Sequence, residues 1–323
     1  MQIKPVRVCI IDAPCKINLH LRIGEKRADG FHSLESLFVT LALGDTLRFE
    51  CTPEKESCVL DVQWQHPGKG ISREIMPAEV IPREKNLVFR ALSLFRERTG
   101  FNEPLNIRLD KRIPAGSGLG GGSSDAASTL LALNLLSGAA LSMEKLREIA
   151  LLLGSDVPFF LTGGAAFVSG RGERVESIGS PQGLWVVLVK PPFPSDTASA
   201  FRLLDQAREQ GTGKEDKIIP KETLIRALEE DPGIWPFYND FLSTFLGLNQ
   251  AQGGLNALSY RAILEKLQNL GASFVGLSGS GSCCFGIFTA RERAERAEKE
   301  LSGKENYVGL TFFLARKAKA VLE

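Results

Sequence analysis

The sequence predicts an α+β protein in two domains. Strand-like and helix-like stretches are mixed without strict strand–helix–strand alternation. Its 323 residues exceed one ordinary core, and 43% hydrophobic with 24% charged residues is the balance of a globular chain in water. A net charge of +1 gives no reason to expect a nucleic-acid or membrane-surface partner. The six cysteines (Cys9, Cys15, Cys51, Cys58, Cys283 and Cys284) form no CxxC pair and read as free thiols in a reducing compartment. Three histidines (His20, His32 and His66) leave little material for a zinc site. The first residues lack the apolar block of a signal peptide, and "LLALNLLSGAAL" is broken by Asn134, Ser137 and Gly138 before it could span a bilayer. The expectation is a cytoplasmic monomer or weak homodimer acting on a small molecule.

Taken in order, "VRVCIID" and "KINLHLRIG" are short Val- and Ile-rich stretches that predict two strands, and "ADGFH" is a turn built on Asp-Gly. "LESLFVTLALGDTLRFECT" continues as strand. Residues 52–82, with Pro53, Pro67, Pro77 and Pro82, read as an elaborated surface hairpin or loop. In "NLVFRALSLFRERTG", Leu87, Val88, Ala91, Leu92 and Phe95 recur at helical spacing and Gly100 stops the helix. "LNIRLDKRI" alternates as a strand does. From Asp125, "AASTLLALNLLSG" is apolar nearly all round and predicts a buried helix; Ser142 caps a second, amphipathic helix that Gly154 closes. "SDVPFF" then predicts a turn, "GGAAFVSGRGERVESI" a hairpin and "LWVVLVKPPFP" a strand. Residues 195–240 are polar with helical tendency, and residues 255–270 form a helix ended by Gly271. "SFVGLSGSGSCCFGIF" is two apolar segments around a small-residue turn, with Cys283 and Cys284 as buried small hydrophobes. "ARERAERAEKELSG" is a solvated charged helix and "TFFLARKA" a closing strand. The three tryptophans read as packing. The division of the chain falls near residues 170–183.

One stretch stands out chemically. "GSGLGGGSSDAAST" (116–129) holds Gly116, Gly118, Gly120, Gly121 and Gly122 within seven residues, directly before a helix. Bare backbone at a helix N-terminus can cradle a phosphate; it can equally serve tight packing or a linker. No lysine follows the last glycine as in GxxxxGK[ST]. Gly116, Gly118 and Gly121 match GxGxxG, yet no strand carboxylate follows about 20 residues later. Ser123 and Ser124 add hydroxyls suited to capping, phosphate contact or a metal-bound oxygen. Lys16 in "APCKINLHL" by itself suits a snorkelling edge lysine, Asp156 in "GSDVPFF" a turn or cap residue, and "GLSGSGSCCF" a tight strand connection.

As a set, "PCKIN", "PAGSGLGGGSSDAA" (114–127), "GSDVPFF" (154–160) and "GLSGSGSCCF" occur in the order and spacing of the GHMP kinase superfamily, which the chain resembles over nearly its whole length. "RADGFHSLESLF" (27–38) further resembles the substrate segment of the branch that phosphorylates 4-diphosphocytidyl-2-C-methylerythritol, a cytidine diphosphate alcohol of the non-mevalonate route to isoprenoids. The resemblance implies an N-terminal domain with a ribosomal-S5-like fold (residues 1–175) and a ferredoxin-like C-terminal domain (176–323), with ATP and Mg²⁺ in the cleft between. It implies Asp156 as catalytic base and Lys16 as the cation beside it. Pro114, Ala115, Gly116, Ser117, Gly118 and Leu119 would begin the wrap around the ATP phosphates. Gly120, Gly121, Gly122, Ser123 and Ser124 would complete it, with Asn86 and Lys111 near the adenine. Asn18 and His32 would face the substrate, and Phe31 and Phe193 would sandwich the cytosine ring.

This sequence departs from the family pattern at several points. Phe31 stands where Tyr is usual, Cys15 replaces a small Ala, and "PSDTASAF" puts Asp196 near the substrate side. No carboxylate cage for Mg²⁺ is evident, and Ser124 is the candidate ligand. Asp125 reads as a capping and dipole residue of the helix's first turn. Rival readings are a kinase of another small alcohol, such as homoserine or mevalonate, and a non-catalytic nucleotide-binding module on the same scaffold.

Overall fold

The computed structural model describes residues 7–55, 57–65, 82–211, 218–247, 250–303, 306–315 and 320–322. Its framework is a long hairpin, β1 (Val8–Lys26) and β2 (His32–Cys51), closed by the Asp-Gly turn at its tip. The two strands predicted for this segment are one. Pro14 has no N–H to give the ladder, and the register shifts between Pro14 and Lys16 instead of the strand ending. β1 is buried on both faces over most of its length, its polar Lys16, Asn18 and His20 included.

Next come β3 (Val59–Trp64), α1 (Leu87–Thr99) and β4 (Leu105–Lys111). β4 pairs antiparallel with β2, whereas β3 pairs parallel with β4 on the outer edge, with α1 as part of the crossover. This corrects the expectation of a hairpin or loop for residues 52–82: Leu60 and Trp64 are half-buried while Asp61, Val62 and Gln63 face water, an edge-strand pattern masked by the surrounding prolines. The remainder of that stretch, 66–81, lies outside the described residues.

α2 (Gly121–Ser137), α3 (Met143–Leu153) and α4 (Val157–Thr162) follow, then the hairpin β5 (Ala165–Gly170) and β6 (Arg174–Ile178), which joins the first sheet through β2. α2 starts four residues before Asp125, so the last glycines of the loop are its first turn. "SDVPFF" is not a bare turn: Pro158 occupies the opening of α4, where a missing N–H costs nothing.

β7 (Trp185–Lys190) opens a second, four-stranded sheet with β8 (Phe274–Leu277), β9 (Cys284–Phe288) and β10 (Tyr307–Phe312) in the order β10-β7-β9-β8. Between β7 and β8 lie α5 (Thr197–Glu209), α6 (Lys221–Ala227), α7 (Asp240–Gly247) and α8 (Gln250–Asn269); α9 (Arg291–Leu301) precedes β10. With α8 and α9 on one face, this is the ferredoxin-like arrangement. The closing strand, Tyr307–Phe312, lies earlier than the expected "TFFLARKA" and shares only Thr311 and Phe312 with it; residues 316–319 lie outside the described residues. A division after residue 175 would fall inside β6; the chain changes sheet between Ile178 and Trp185, and β11 (Val321–Leu322) returns to pair with β1 of the first sheet.

The layers run helices, sheet, sheet, helices. Helices α1 to α4 cover one face of the first sheet around Phe49, Ile107 and Leu130. Its other face meets the second sheet, where Ile17, Leu19, Leu37 and Val39 share a core with Val186, Leu188, Phe285 and Ile287. The alternate residues Val187 and Val189 pack under α8 and α9. Each fully buried Leu, Ile or Phe contributes roughly 1.5–3 kcal/mol relative to exposure, so the core between the sheets holds the two domains in fixed relation.

Candidate active site

The glycine loop lies where the two sheets meet. Gly118 and Gly120 have φ of +76° and +73°, which side-chain-bearing residues rarely adopt. A Cβ on Gly118 would come within 2.1 Å of the Ser278 carbonyl oxygen, and one on Gly120 within 2.8 Å of the Phe160 ring and 3.2 Å of Lys16 Cγ. The loop is therefore bare because neighbours on both sides press against it. The second small-residue turn is one of them. Ser278 Oγ donates to the Gly118 carbonyl at 3.0 Å, Cys283 N to the Ser117 carbonyl at 3.0 Å, and Ser195 N to the Gly116 carbonyl at 3.2 Å. Loop carbonyls are thus turned toward the second sheet. Gly120, at the N-cap of α2, provides no side-chain acceptor, which leaves the first N–H groups of a 17-residue helix open for an anion.

Two clefts meet at this loop. The first, about 400 Å³, is lined by Ser117, Gly118 and Gly120 to Ser123 and by Trp64, Asn86, Leu87 and Leu109. Pro114, Ala115 and Gly116 also line it, whereas Leu119 is wholly buried, so it supports the loop from behind. Asn86 serves as N-cap of α1, its Oδ1 accepting from Val88 N at 2.9 Å. The second cleft, about 840 Å³, is lined by Lys16, Asn18, Phe31, His32 and Asp156. Gly118 and Gly120 line both.

In the second cleft, Lys16 and Asn18 alternate along β1 with Ile17 and Leu19, so the polar pair faces the cleft while the apolar pair fills the core between the sheets. Lys16 Nζ stands 3.5 Å from Asp156 Oδ2, donates to Asn18 Oδ1 at 2.6 Å, and lies 4.6 Å from the Phe38 ring centroid. Asn18 Nδ2 donates to Ser36 Oγ at 2.9 Å, and Ser36 in turn donates to the His20 carbonyl. The Lys16 backbone N–H donates to the Leu119 carbonyl at 2.9 Å, so the lysine and the loop are tied together. Asp156 precedes α4 without capping it, and a third of its side chain is exposed. Its carboxylate opens onto the cleft.

Phe31, at the hairpin tip, is 56% exposed with the Arg171 guanidinium 4.6 Å from its ring centroid. His32 stacks on Phe201 at 4.9 Å between centroids, and its Nε2 is 2.8 Å from Asp205 Oδ1. Phe193, expected opposite Phe31, does not line this cleft. It packs edge-on against Tyr260, 5.6 Å between centroids, beneath α8. The aromatic residue that α5 brings to the cleft is Phe201, with Asp205 one helical turn later on the same face. That i,i+4 spacing inside a polar helical segment was the available signal for both. Asp196 is the N-cap of α5, its carboxylate accepting from Ser199 N at 3.0 Å.

Lys111, expected near the adenine, lines the first cleft, but its charge is already paired. Its Nζ donates to Asp45 and, at 2.7 Å, to Asp125 Oδ2, and all three residues are buried. Asp45 Oδ1 also accepts the N–H groups of Arg112, at 2.5 Å, and Ile113, at 2.8 Å, the residues that lead into the loop. Asp125 is therefore an ion-pair partner and not a first-turn cap. Burial pushes its carboxyl up to about 7 against the opposing pull of Lys111. Burial opposes the Lys111 charge as well, yet the two carboxylates hold its ammonium above the usual range.

Family models of the GHMP kinases N terminal domain and the GHMP kinases C terminal match residues 86–164 and 242–307. The 4-diphosphocytidyl-2-C-methyl-D-erythritol kinase of Treponema pallidum (strain Nichols) is 37% identical over 294 residues, covering 90% of this chain and 93% of that protein. The chloroplastic kinase of the same name from Oryza sativa subsp. japonica is 39% identical over 278 residues; the match takes in 85% of this chain but only 63% of the rice protein. A crystal structure of 4-(cytidine 5'-diphospho)-2C-methyl-D-erythritol kinase superposes with a TM-score of 0.69 at 31% identity, covering 94% of this chain and 98% of that one. A homoserine kinase from Cytophaga hutchinsonii, at 18% identity and a TM-score of 0.67, shares the fold. The chain belongs to the 4-diphosphocytidyl-2-C-methyl-D-erythritol kinases of the GHMP superfamily, ATP-dependent kinases of a small-molecule alcohol.

Proposed function

We propose that this chain transfers the γ-phosphoryl group of ATP to the 2-hydroxyl of 4-diphosphocytidyl-2-C-methyl-D-erythritol, releasing ADP. The observation that carries the reading is that Gly118 and Gly120 line both clefts. Phosphates held by the loop in the first cleft would end beside Lys16 and Asp156 in the second. Phosphoryl transfer needs alignment and charge stabilisation more than covalent help. The first-turn N–H groups of α2 supply fixed dipoles for the phosphates. Asp156 accepts the proton of the attacking hydroxyl as its oxygen bonds to phosphorus and the bond to ADP breaks. Lys16 offsets negative charge on the group in transit and keeps the Asp156 carboxylate oriented. Phe31 and Phe201 supply the aromatic faces for the cytosine, with His32 held by Asp205 behind.

Magnesium fits this site as a companion of the nucleotide. Among the described residues no group of three or more His, Cys, Asp or Glu side chains could hold a metal ion. The buried Ser124 hydroxyl, which finds no hydrogen-bond partner among the described residues, is the side chain that would join the phosphate oxygens around it. When bound, the ion neutralises polyphosphate charge. No helix of the described residues is long and apolar enough to cross a membrane. A cytoplasmic place for the enzyme is part of this reading, and its buried, unpaired cysteines support a reducing compartment.

The test is ADP release with ATP and Mg²⁺, offering the cytidyl alcohol beside mevalonate, homoserine and galactose. Turnover with the cytidyl alcohol alone is expected. Turnover with another alcohol instead would move the reading to that alcohol, and ATP binding without turnover of any would favour a non-catalytic module.

A further inference from the structure

Sequence alone assigns Trp64 to packing, and its surroundings argue otherwise. The first cleft has two unlike ends. At one end stand the N–H groups of the glycine loop; Trp64 on β3 and Leu109 on β4 give the other an apolar surface, with Leu87 of α1 lying against Gly122 between them and Lys85 and Asn86 also lining the cleft. Lys111 sits there too, but its charge is already shared by Asp45 and Asp125. An additional phosphate would meet those carboxylates, so this end suits a flat, uncharged ring. In the β3–β4 ladder Trp64 is the partner of Lys111, and the Lys111 ammonium lies 5.9 Å from the centre of the indole. The other two tryptophans are packed against rings, Trp185 against Phe312 and Trp235 against Phe237 and Phe274. Among the described residues no ring packs against Trp64, although it is half-buried at the wall of a cleft.

We propose that Trp64 is a base-stacking residue that covers the adenine of the bound nucleotide and favours purine over pyrimidine nucleotides. The inference rests on the reading that the nucleotide occupies this cleft with its phosphates on the loop. A nucleotide so anchored extends its base toward the apolar end, where a ring laid on the indole removes apolar surface of both from water. A purine covers more of the indole than a pyrimidine does, and stacking strength follows that area.

The experiment is ADP binding by calorimetry, without acceptor, to the wild type, Trp64→Ala and Trp64→Phe, together with tryptophan emission during the same titrations. Trp64→Ala is expected to weaken ADP about tenfold, and Trp64→Phe to recover most of that loss. In steady state the effect of Trp64→Ala falls on the KM for ATP more than on kcat, and the preference for ATP over CTP narrows. ADP should change the emission of the wild type and leave that of Trp64→Phe unchanged, because neither Trp185 nor Trp235 lines the cleft. Unaltered ADP affinity in Trp64→Ala would overturn the proposal, as would an ADP-dependent emission change that persists in Trp64→Phe. Should Trp64→Ala fail to fold, the emission result in Trp64→Phe decides. A wild type that binds ADP through Trp64 yet does not phosphorylate the cytidyl alcohol would sink the substrate reading and leave this inference standing.

Discussion

Lys16 and Lys111 both stand on strands of the first sheet and both reach the glycine loop, yet their surroundings differ in kind. Lys111 is enclosed by two carboxylates, one of which also holds the backbone entering the loop. Lys16 has one carboxylate at 3.5 Å, an amide oxygen and an aromatic face, and it opens onto a cleft. A lysine whose charge is already neutralised can only position its neighbours. One with a distant, partly exposed partner has charge left for a reacting group. The pair separates scaffold from chemistry within one loop's reach.

The sharpest way to break this contrast is at the Lys16 partner. Asp156→Asn keeps the shape of the site but cannot take the proton, so kcat should fall about 10²–10⁴-fold while ADP affinity holds; near-normal kcat would remove Asp156 from the base role. Lys111→Met leaves Asp45 and Asp125 buried without their cation. It should lower the unfolding free energy by about 3–5 kcal/mol in urea titrations. A loss below about 1 kcal/mol would put the cluster in the class of surface pairs and erase the distinction. In the acceptor cleft, Phe201→Ala should raise the KM for the cytidyl alcohol about tenfold, whereas Phe193→Ala should lower the unfolding midpoint and leave that KM alone. The reverse result would return Phe193 to the substrate.

The smallest effect concerns pH. The folded-state value of the Asp125 carboxyl, pushed up by burial to about 7, lies above its ordinary 3.8. Proton uptake therefore stabilises the fold below the ordinary value, and that contribution fades as pH rises through about 7. Asp125→Asn removes the titration, so its stability should vary less between pH 5 and 8 than that of the wild type, as read by thermal unfolding across buffers. Parallel pH profiles for the two proteins would show that the carboxyl titrates elsewhere.

The α+β class, most of the strands, the capped helices and the glycine loop before a helix were legible from residues alone. Such features are local: turn chemistry at Asp29-Gly30, helical spacing from Leu87 to Phe95, and backbone freedom at Gly118 and Gly120 all act within a few residues. Resemblance carried Lys16 and Asp156 further, since motif order survives where contacts cannot be seen. What tertiary structure decided are the matters of distance along the chain. Lys111 meets partners 66 and 14 positions away, and only their approach shows that its charge is taken. Phe193 and Phe201 are both aromatic and eight residues apart; α5 turns Phe201 to the cleft, whereas Phe193, ahead of that helix, packs under α8. Trp64 became a candidate ligand contact only when a parallel edge strand carried it beside Lys111. Burial, pairing and exposure belong to the assembled layers, because each depends on which distant surface closes over a side chain.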